Sequence, residues 1–198
     1  MSKKDGQAST INGKQYQSLL NSISANSYPI RNTAIIVLSF KLMLRSKELA
    51  GLKINDVLDS DGNIRDVLRL SSSYTKGDKF REVPLSNPVV IKALQKLIAD
   101  RRETDGNLFN VGSALFKTQR GNSFSASAMA NHIKSIFVTA NLNQCSSHSG
   151  RRTGITNLAS NGVDIKNIAT LAGHSNISTT ALYIQTNPKT LAEHMKGL

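Results

Sequence analysis

The chain has 198 residues, a length that predicts one compact domain with a sizeable core. It carries 25 Lys and Arg residues against 13 Asp and Glu residues, a formal net charge of +12. Its single cysteine, Cys145, excludes an internal disulfide and is expected to be a small buried residue. The sequence shows no apolar run of membrane-spanning length and no signal peptide, so we expect a cytoplasmic protein without a membrane partner.

The charge is distributed unevenly. No acidic residue occurs between Asp105 and Asp164. The same window contains the cations Lys117, Arg120, Lys134, Arg151 and Arg152. A surface of one sign favours a polyanionic partner, and nucleic acid is the natural candidate. The four histidines are scattered without paired cysteines or a His-x-x-x-His step, so the sequence predicts no metal site.

Taken in chain order, the sequence predicts helices interrupted by one hairpin. Asn12 and Gln15 form a capping-box pattern at the first helix, and residues 30–44 are apolar nearly all round, which indicates a buried helix that delivers Arg45 at its end. The predicted helices cover residues 12–23, 30–44, 46–51, 87–102, 125–140, 147–160, 164–171, 176–184 and 188–197, and the predicted strands cover 67–71 and 80–85. This is a mainly helical α+β fold with a small antiparallel sheet.

Polar residues suited to phosphate chemistry follow one another along the chain. The last third contains His148-Ser-Gly-Arg151, then Gly173-His174, then Tyr183. His148 and Arg151 are one helical step apart, so both side chains can leave the same helix face. A tyrosine downstream of two histidines and an arginine suggests a nucleophile beside a cradle for phosphate.

Two further cations lie upstream, and together with the downstream residues they carry a family resemblance. Arg45 follows the apolar run, and Lys76 precedes a glycine in the predicted hairpin turn. In this order, the set closely resembles the tyrosine recombinases of the phage integrase family, over roughly residue 10 to the C-terminus: Arg45, Lys76, His148, Arg151, His174 and Tyr183.

The resemblance implies a site-specific DNA recombinase or integrase catalytic domain over residues 12–198, preceded by a tail over 1–11. Relatives usually carry a helical N-terminal domain that completes a clamp around DNA, and this chain is expected to lack it, either as an excised fragment or as a naturally short member. The implied partner is double-stranded DNA in a prokaryotic cytoplasm or nucleoid. The implied assembly is mostly a monomer off DNA and a homo-tetramer when synapsed.

The resemblance also assigns roles to the cations. Arg45 and Arg151 would clamp the non-bridging phosphate oxygens, a task that suits the planar, permanently charged guanidinium. Lys76 would protonate the departing 5′-oxygen, since a partly desolvated ammonium can give up a proton. Lys79 and Arg81, near the same hairpin, are expected only to touch phosphates. No metal or nucleotide cofactor would be required.

The resemblance assigns the remaining roles to two histidines, a tyrosine and a glutamate. His148 would accept the tyrosine proton or support the arginines, and His174 would donate to a non-bridging oxygen. Tyr183 would attack phosphorus and store the bond as a 3′-phosphotyrosine, although an isolated phenol ionises only near pH 10. Glu48 is expected to orient a neighbouring cation. The other tyrosines, Tyr16, Tyr28 and Tyr74, are interpreted as packing or surface residues.

Two positions depart from the family pattern, and three other functions stay open. Arg152 falls where many relatives carry a histidine, which leaves its role unassigned. Gly150 falls where relatives often have leucine, which makes the match to the family motif looser without removing a chemical group. A type IB topoisomerase would use similar chemistry to relax supercoils. A non-catalytic DNA-binding module would keep the basic face without using Tyr183. A metal-dependent nuclease would need a carboxylate cluster, and the acid-free window argues against one.

Overall fold

The computed structural model describes residues 8–71 and 80–183. Its two strands, β1 (Val67–Leu70) and β2 (Arg81–Pro84), pair antiparallel with Leu68 opposite Val83. The helices of the described residues are α1 (Gly13–Ser24), α2 (Pro29–Lys41), α3 (Ser46–Gly51), α4 (Ile54–Val57), α5 (Pro88–Asp105), a short 3₁₀ helix (Gly106–Leu108), α6 (Ala126–Thr139), α7 (Ser149–Ser160), α8 (Ile165–Ala172) and α9 (Ile177–Ala181). The predicted mainly helical α+β fold is confirmed.

Side chains cap several helices, and the sequence predicts the first of these caps. The Asn12 side chain accepts a hydrogen bond from the Gln15 backbone N–H, and Gln15 reciprocates, which completes the predicted capping box of α1. The side chains of Asn87, Ser125 and Asp164 also accept hydrogen bonds from backbone N–H groups, at the starts of α5, α6 and α8. Each cap satisfies backbone donors that have no partner inside the helix, so these starts are determined locally.

The buried helix α2 is the centre of the core and contacts α1, α5, α6 and α7. It ends at Lys41, three residues before the predicted boundary, because Met43 adopts a left-handed backbone with φ of 54°. A non-glycine residue in this conformation costs about 1–2 kcal/mol. Burial of the Met43 side chain, which is 3% exposed, offsets this cost. The turn after Met43 then leads directly to Arg45.

Two glycines bring α7 unusually close to α2. A Cβ atom on Gly150 would overlap the Ser39 hydroxyl and lie 2.8 Å from Phe40 Cδ2, and one on Gly154 would overlap the Phe40 carbonyl oxygen. Gly150, which departs from the family motif, is therefore a point of close packing. The absence of both side chains permits backbone contact between the helices that carry the N-terminal and C-terminal halves of the site.

A second, smaller hydrophobic cluster lies between this helix pair and α8. Its buried members are Met43, Ile155, Ile168 and Ala172, and Tyr183 packs against it as a partly buried residue. The main cluster contains Cys145, which is buried as predicted. Within residues 8–71 and 80–183, no helix combines the length and hydropathy that a membrane span needs.

Two of the tyrosines have the environments that the sequence predicts. The Tyr16 ring packs 4.9 Å from the Phe40 ring, and Tyr28 is 45% exposed, as expected for a packing residue and a surface residue. Lys76, Tyr74, Lys79 and the helix predicted over 188–197 lie outside the described residues.

The close approach of α7 to α2 predicts that Gly154→Ala destabilises the fold. The added methyl group must displace the Phe40 carbonyl or the Met43 side chain, and overpacking of this kind costs about 1–3 kcal/mol. Gly13→Ala is the matched control, since a Cβ atom added there would meet nothing within 4 Å and Ala suits a helix. Urea denaturation measures both, and equal stability of the two variants would contradict the close approach.

Candidate active site

Arg45 stands at the N-cap position of α3, where an extended backbone turns its side chain toward the end of α8. Its Nη1 donates to Glu48 Oε1 at 2.8 Å, and its Nη2 donates to the Gly173 carbonyl oxygen at 2.9 Å. The Arg45 side chain keeps 24% of its surface exposed. The guanidinium is therefore held by hydrogen bonds while part of the side chain stays accessible to a ligand. Arg45 lies at the start of α3, whereas the sequence predicts it at the end of the preceding helix.

Arg151 occupies the first turn of α7 and is almost entirely buried, at 5% exposure. Its Nη1 donates to the Met43 carbonyl oxygen and its Nη2 to the Ala172 carbonyl oxygen, each at 2.6 Å. One carbonyl follows the C-terminus of α2 and the other ends α8, and carbonyl groups at helix C-termini carry partial negative charge. Arg151 thus joins two segments that are 108 and 21 residues away along the chain.

Glu48 and Arg81 form the buried base of the site. The Glu48 side chain is fully buried, and its two oxygens accept from Arg45 and, at 3.1 Å, from Arg81 Nη2. The prediction that Glu48 orients a neighbouring cation is confirmed. Arg81 also donates from Nη1 to the Ala172 carbonyl oxygen. Arg81 is thus a structural partner of Glu48 and of the end of α8, so the expectation that it only touches phosphates is wrong.

A strand pattern in the sequence marks this arginine as inward-facing. Side chains alternate across a strand, and Val83 and Leu85 are apolar at the second and fourth positions after Arg81. Arg81 therefore shares the inward face of β2. Gly173 completes the fit, since its φ is 64° and a Cβ atom there would lie 2.7 Å from Arg81 Cδ. Glycine is the residue that accommodates both conditions.

The cluster holds more positive than negative charge. Three guanidinium groups, from Arg45, Arg81 and Arg151, face the single carboxylate of Glu48. Burial, followed by repulsion from Arg45 and Arg81, lowers the pKa of Arg151 to about 9, so this group stays cationic at neutral pH. Of five N–H donors on a guanidinium, Arg45 and Arg151 each use two in the bonds described, which leaves three apiece. The site can therefore bind an anion with several oxygens.

His174 follows the left-handed Gly173 that ends α8, and its backbone N–H donates to the Ala169 carbonyl oxygen. This is a common helix ending, which places the next side chain at a defined angle. His174 Nδ1 lies 2.7 Å from the hydroxyl of Thr180, which is fully buried. Since that contact occupies Nδ1, Nε2 is the ring nitrogen left for a ligand. Burial, then the charges of Arg151, Arg45 and Arg81, lowers the His174 pKa to about 4.

Tyr183 lies in the turn after α9, where its backbone N–H donates to the Thr180 carbonyl oxygen at 2.9 Å. Its ring stacks on the His174 ring with centroids 5.9 Å apart and an interplanar angle of 17°. The ring is half-buried. The candidate nucleophile is thereby placed beside a candidate oxygen-binding group.

His148 lies immediately before α7 at its N-cap position, three residues before Arg151, and its backbone is in the helical region with φ of −90° and ψ of −9°. The residue is exposed. Its pKa is nevertheless lowered, first by partial desolvation of the ring and then by the charges of Arg151 and Arg45. These charges act on His148 because it borders the arginine cluster, and they favour a neutral ring that can accept a proton.

The described residues thus bring together five of the six predicted site residues: Arg45, Arg151, His174, Tyr183 and His148. Lys76 lies outside the described residues. Arg81 and Thr180 are buried polar supports that the motifs of the sequence did not indicate. Across residues 8–71 and 80–183, no group of three or more His, Cys, Asp or Glu side chains is arranged to hold a metal ion.

The buried ion pairs predict that Glu48→Gln is strongly destabilising. It leaves Arg81 buried without a counter-charge, and breaking a buried pair in this way costs about 3–5 kcal/mol. Glu82→Gln is the matched control, because its pair with Arg69 is largely exposed, at 57% and 71%, and exposed pairs contribute about 1 kcal/mol or less. Thermal and urea unfolding of both variants measure the difference, and similar losses would refute the proposed importance of Glu48.

The histidine environments predict a loss of stability in mild acid. The pKa of His132 is lowered to about 4 by burial and then by Arg31, while an unfolded histidine titrates near 6.5. Between these values the unfolded chain binds protons that the folded chain cannot. The free energy of unfolding is therefore full above pH 6.5 and falls as the pH drops toward 4.

His132→Gln should flatten part of this slope in urea titrations between pH 7 and pH 4.5. The lowered pKa values of His148 and His174 should preserve the rest. An unchanged slope in His132→Gln would show that His132 is not protected from protonation.

Comparison with known proteins agrees with this geometry. The Phage integrase family model matches residues 9–190. The chain is 32% identical over 185 residues to tyrosine recombinase XerC of Haemophilus influenzae, covering 92% of this chain and 58% of that protein. The XerA recombinase crystal structure matches with a TM-score of 0.74 and 27% identity, covering 95% of this chain and 64% of that one.

A fourth comparison concerns the fold alone. The Tn1549 transposon integrase in complex with transposon right end DNA matches with a TM-score of 0.75 at 21% identity, over 100% of this chain and 68% of that one. The chain spans somewhat more than half the length of the XerC relative. The family match covers nearly all the described residues and includes the arginine cluster, both histidines and the tyrosine. The chain therefore belongs to the phage integrase family.

Proposed function

We propose that this chain is the catalytic domain of a site-specific DNA recombinase, which cuts and rejoins strands through a 3′-phosphotyrosine. The observation that carries the proposal is a cluster of three arginines around one carboxylate, with Tyr183 stacked beside it on His174. A phosphodiester needs fixed positive charge before a nucleophile can approach it. The cluster supplies this charge from side chains, so the proposed reaction calls for no metal ion.

Binding of the scissile phosphate is assigned to Arg45 and Arg151. Arg45 is held by Glu48 and the Gly173 carbonyl oxygen, and Arg151 is held by two carbonyl oxygens. Their remaining N–H groups can bind the two non-bridging oxygens. Because these donors are fixed before the DNA arrives, little reorganisation accompanies charge development in the pentavalent transition state. His174 adds a further donor from Nε2 when Thr180 donates to Nδ1. The pKa of about 4 leaves the His174 ring neutral at pH 7 with a single N–H, and the proposed role places that N–H on Nε2.

Cleavage is assigned to the phenol oxygen of Tyr183. It attacks phosphorus as its proton passes to a neutral acceptor, for which His148 is suited by its lowered pKa. The bond between phosphorus and the 5′-oxygen breaks, and Lys76 is proposed to protonate that oxygen. Rejoining reverses the sequence: a 5′-hydroxyl attacks the phosphotyrosine and releases the phenol. The protein–DNA ester keeps the bond energy, so no nucleotide is consumed.

Double-stranded DNA is the proposed substrate and partner. The net charge of +12 and the acid-free window support a polyanion, and the Tn1549 integrase, which shares this fold, is in complex with transposon right end DNA. We propose further that the protein is mostly monomeric off DNA, forms a homo-tetramer when two sites are synapsed, and works in a prokaryotic cytoplasm or nucleoid. The bacterial origin of the XerC relative supports the last of these.

The proposal predicts that Tyr183→Phe abolishes a covalent protein–DNA adduct while leaving the fold intact, because only the hydroxyl is removed. The test incubates each protein with nicked suicide duplexes carrying candidate sites and detects the adduct after denaturation. Tyr16→Phe is the matched control, since it also loses a phenol hydroxyl but lies in the α1 core contact with Phe40. It should keep the adduct, and EDTA should not affect the wild type.

Three results would redirect the assignment. A normal adduct in Tyr183→Phe would move the nucleophile elsewhere. Cleavage that EDTA abolishes would favour a metal-dependent nuclease. DNA binding without any adduct, across all substrates, would favour a non-catalytic DNA-binding module.

A further inference from the structure

Arg152 lies beside the proposed nucleophile and has no role in the mechanism described. Its guanidinium carbon lies over the face of the Tyr183 ring, 5.5 Å from the centroid. A cation so placed is attracted by the ring quadrupole, an interaction of about 0.5–1 kcal/mol at exposed sites. We propose that Arg152 is a positioning residue, which holds the Tyr183 ring against His174 in the orientation for attack. Its effect on cleavage rests on the proposed function.

The two consecutive arginines point to different tasks because of helix geometry. Neighbouring residues on an α-helix project about 100° apart. Arg151 turns into the interior, toward the Met43 and Ala172 carbonyl oxygens, while Arg152 lies half-buried over Tyr183. One turn of α7 therefore presents one cation to the phosphate and another to the nucleophile.

The charge of Arg152 is not neutralised by an ion pair within the described part of the chain, where no carboxylate lies within 4.0 Å of it. The sequence explains this, because residues 106–163 and 165–192 contain no acidic residue. The full positive charge is thus available to the ring. The attraction between this charge and the ring face holds the Tyr183 ring in place.

Tyr183 needs such side-chain contacts because its backbone support is slight. It follows a helix of only 5 residues, and the Thr180 carbonyl oxygen accepts from its backbone N–H. Three contacts define its ring within the described residues: the small hydrophobic cluster around Met43, the His174 ring and Arg152. Of these, Arg152 is the one that carries a charge at neutral pH.

The first experiment needs no DNA. The ring current of Tyr183 should displace the NMR signals of the His174 ring protons, and Tyr183→Leu gives the reference without a ring. Arg152→Met should move these signals toward that reference, and Arg152→Lys should do so less. Lys96→Met, which removes one charge from an exposed position on α5, is the control and should leave them unchanged.

The second experiment measures single-turnover cleavage of the nicked duplex at saturating DNA, together with the dissociation constant. Arg152→Met should slow cleavage by about tenfold or more, since small displacements of a reacting group are costly. Its DNA affinity should stay near that of Lys96→Met. Arg152→Lys should rescue most of the rate, because it keeps the charge.

The outcomes separate this proposal from its alternatives. Unchanged His174 signals in Arg152→Met would overturn the positioning role. Weaker DNA binding with an unchanged saturated rate would also overturn it and identify Arg152 as a phosphate contact. If the wild type forms no adduct, the proposed function fails, while the NMR comparison still decides whether Arg152 holds the ring.

Discussion

The buried carboxylate of Glu48 is the interaction on which the site depends. It lies in a fully buried position and pairs with two arginines that come from different parts of the chain, Arg45 at the start of α3 and Arg81 on β2. Without it, the desolvation of Arg81 and the repulsion among three guanidiniums would oppose the fold. Since Glu48 is the one carboxylate that pairs with these arginines among residues 8–71 and 80–183, the cluster remains positively charged. The same ion pairs thus stabilise the protein and leave a net positive charge that can bind an anion.

The end of α8 is the point where these cations converge. The Ala172 carbonyl oxygen accepts from both Arg151 and Arg81, and the Gly173 carbonyl oxygen accepts from Arg45. These oxygens cannot all be used inside the helix, so arginines satisfy them. Because His174 follows directly, the contacts that fix the cations also fix a histidine. A change in one arginine is therefore expected to affect its neighbours, and substitutions within this set should not be additive.

The packing of α7 against α2 determines how closely the N-terminal and C-terminal parts of the site approach each other. Gly150 and Gly154 allow α7 to touch the backbone of α2, and the left-handed Met43 turns its carbonyl oxygen toward Arg151. The Met43 side chain fills the small cluster against which Tyr183 packs. A strained backbone residue thus serves the cation and the tyrosine together, and the burial of its side chain offsets the strain.

The sequence by itself determined what depends on neighbours along the chain. Helix starts at Asn12, Asn87 and Ser125 were predictable because a capping side chain and its backbone donors lie within three residues of each other. The apolar character of α2 and the alternation of the strands predicted the core and the hairpin. The order of the polar motifs indicated the family, and the comparisons confirmed it.

Only the tertiary structure decided the features that join distant segments. The burial of Arg81 depends on Glu48, 33 residues away, and on a carbonyl oxygen 91 residues away, and no local pattern records these partners. The early end of α2 depends on burial of Met43, and the close packing at Gly150 depends on the surface of a helix more than 100 residues earlier. The contact of Arg152 with Tyr183 likewise joins segments that are distant along the chain. Sequence patterns report local energies, while such long-range contacts form only when the chain has folded.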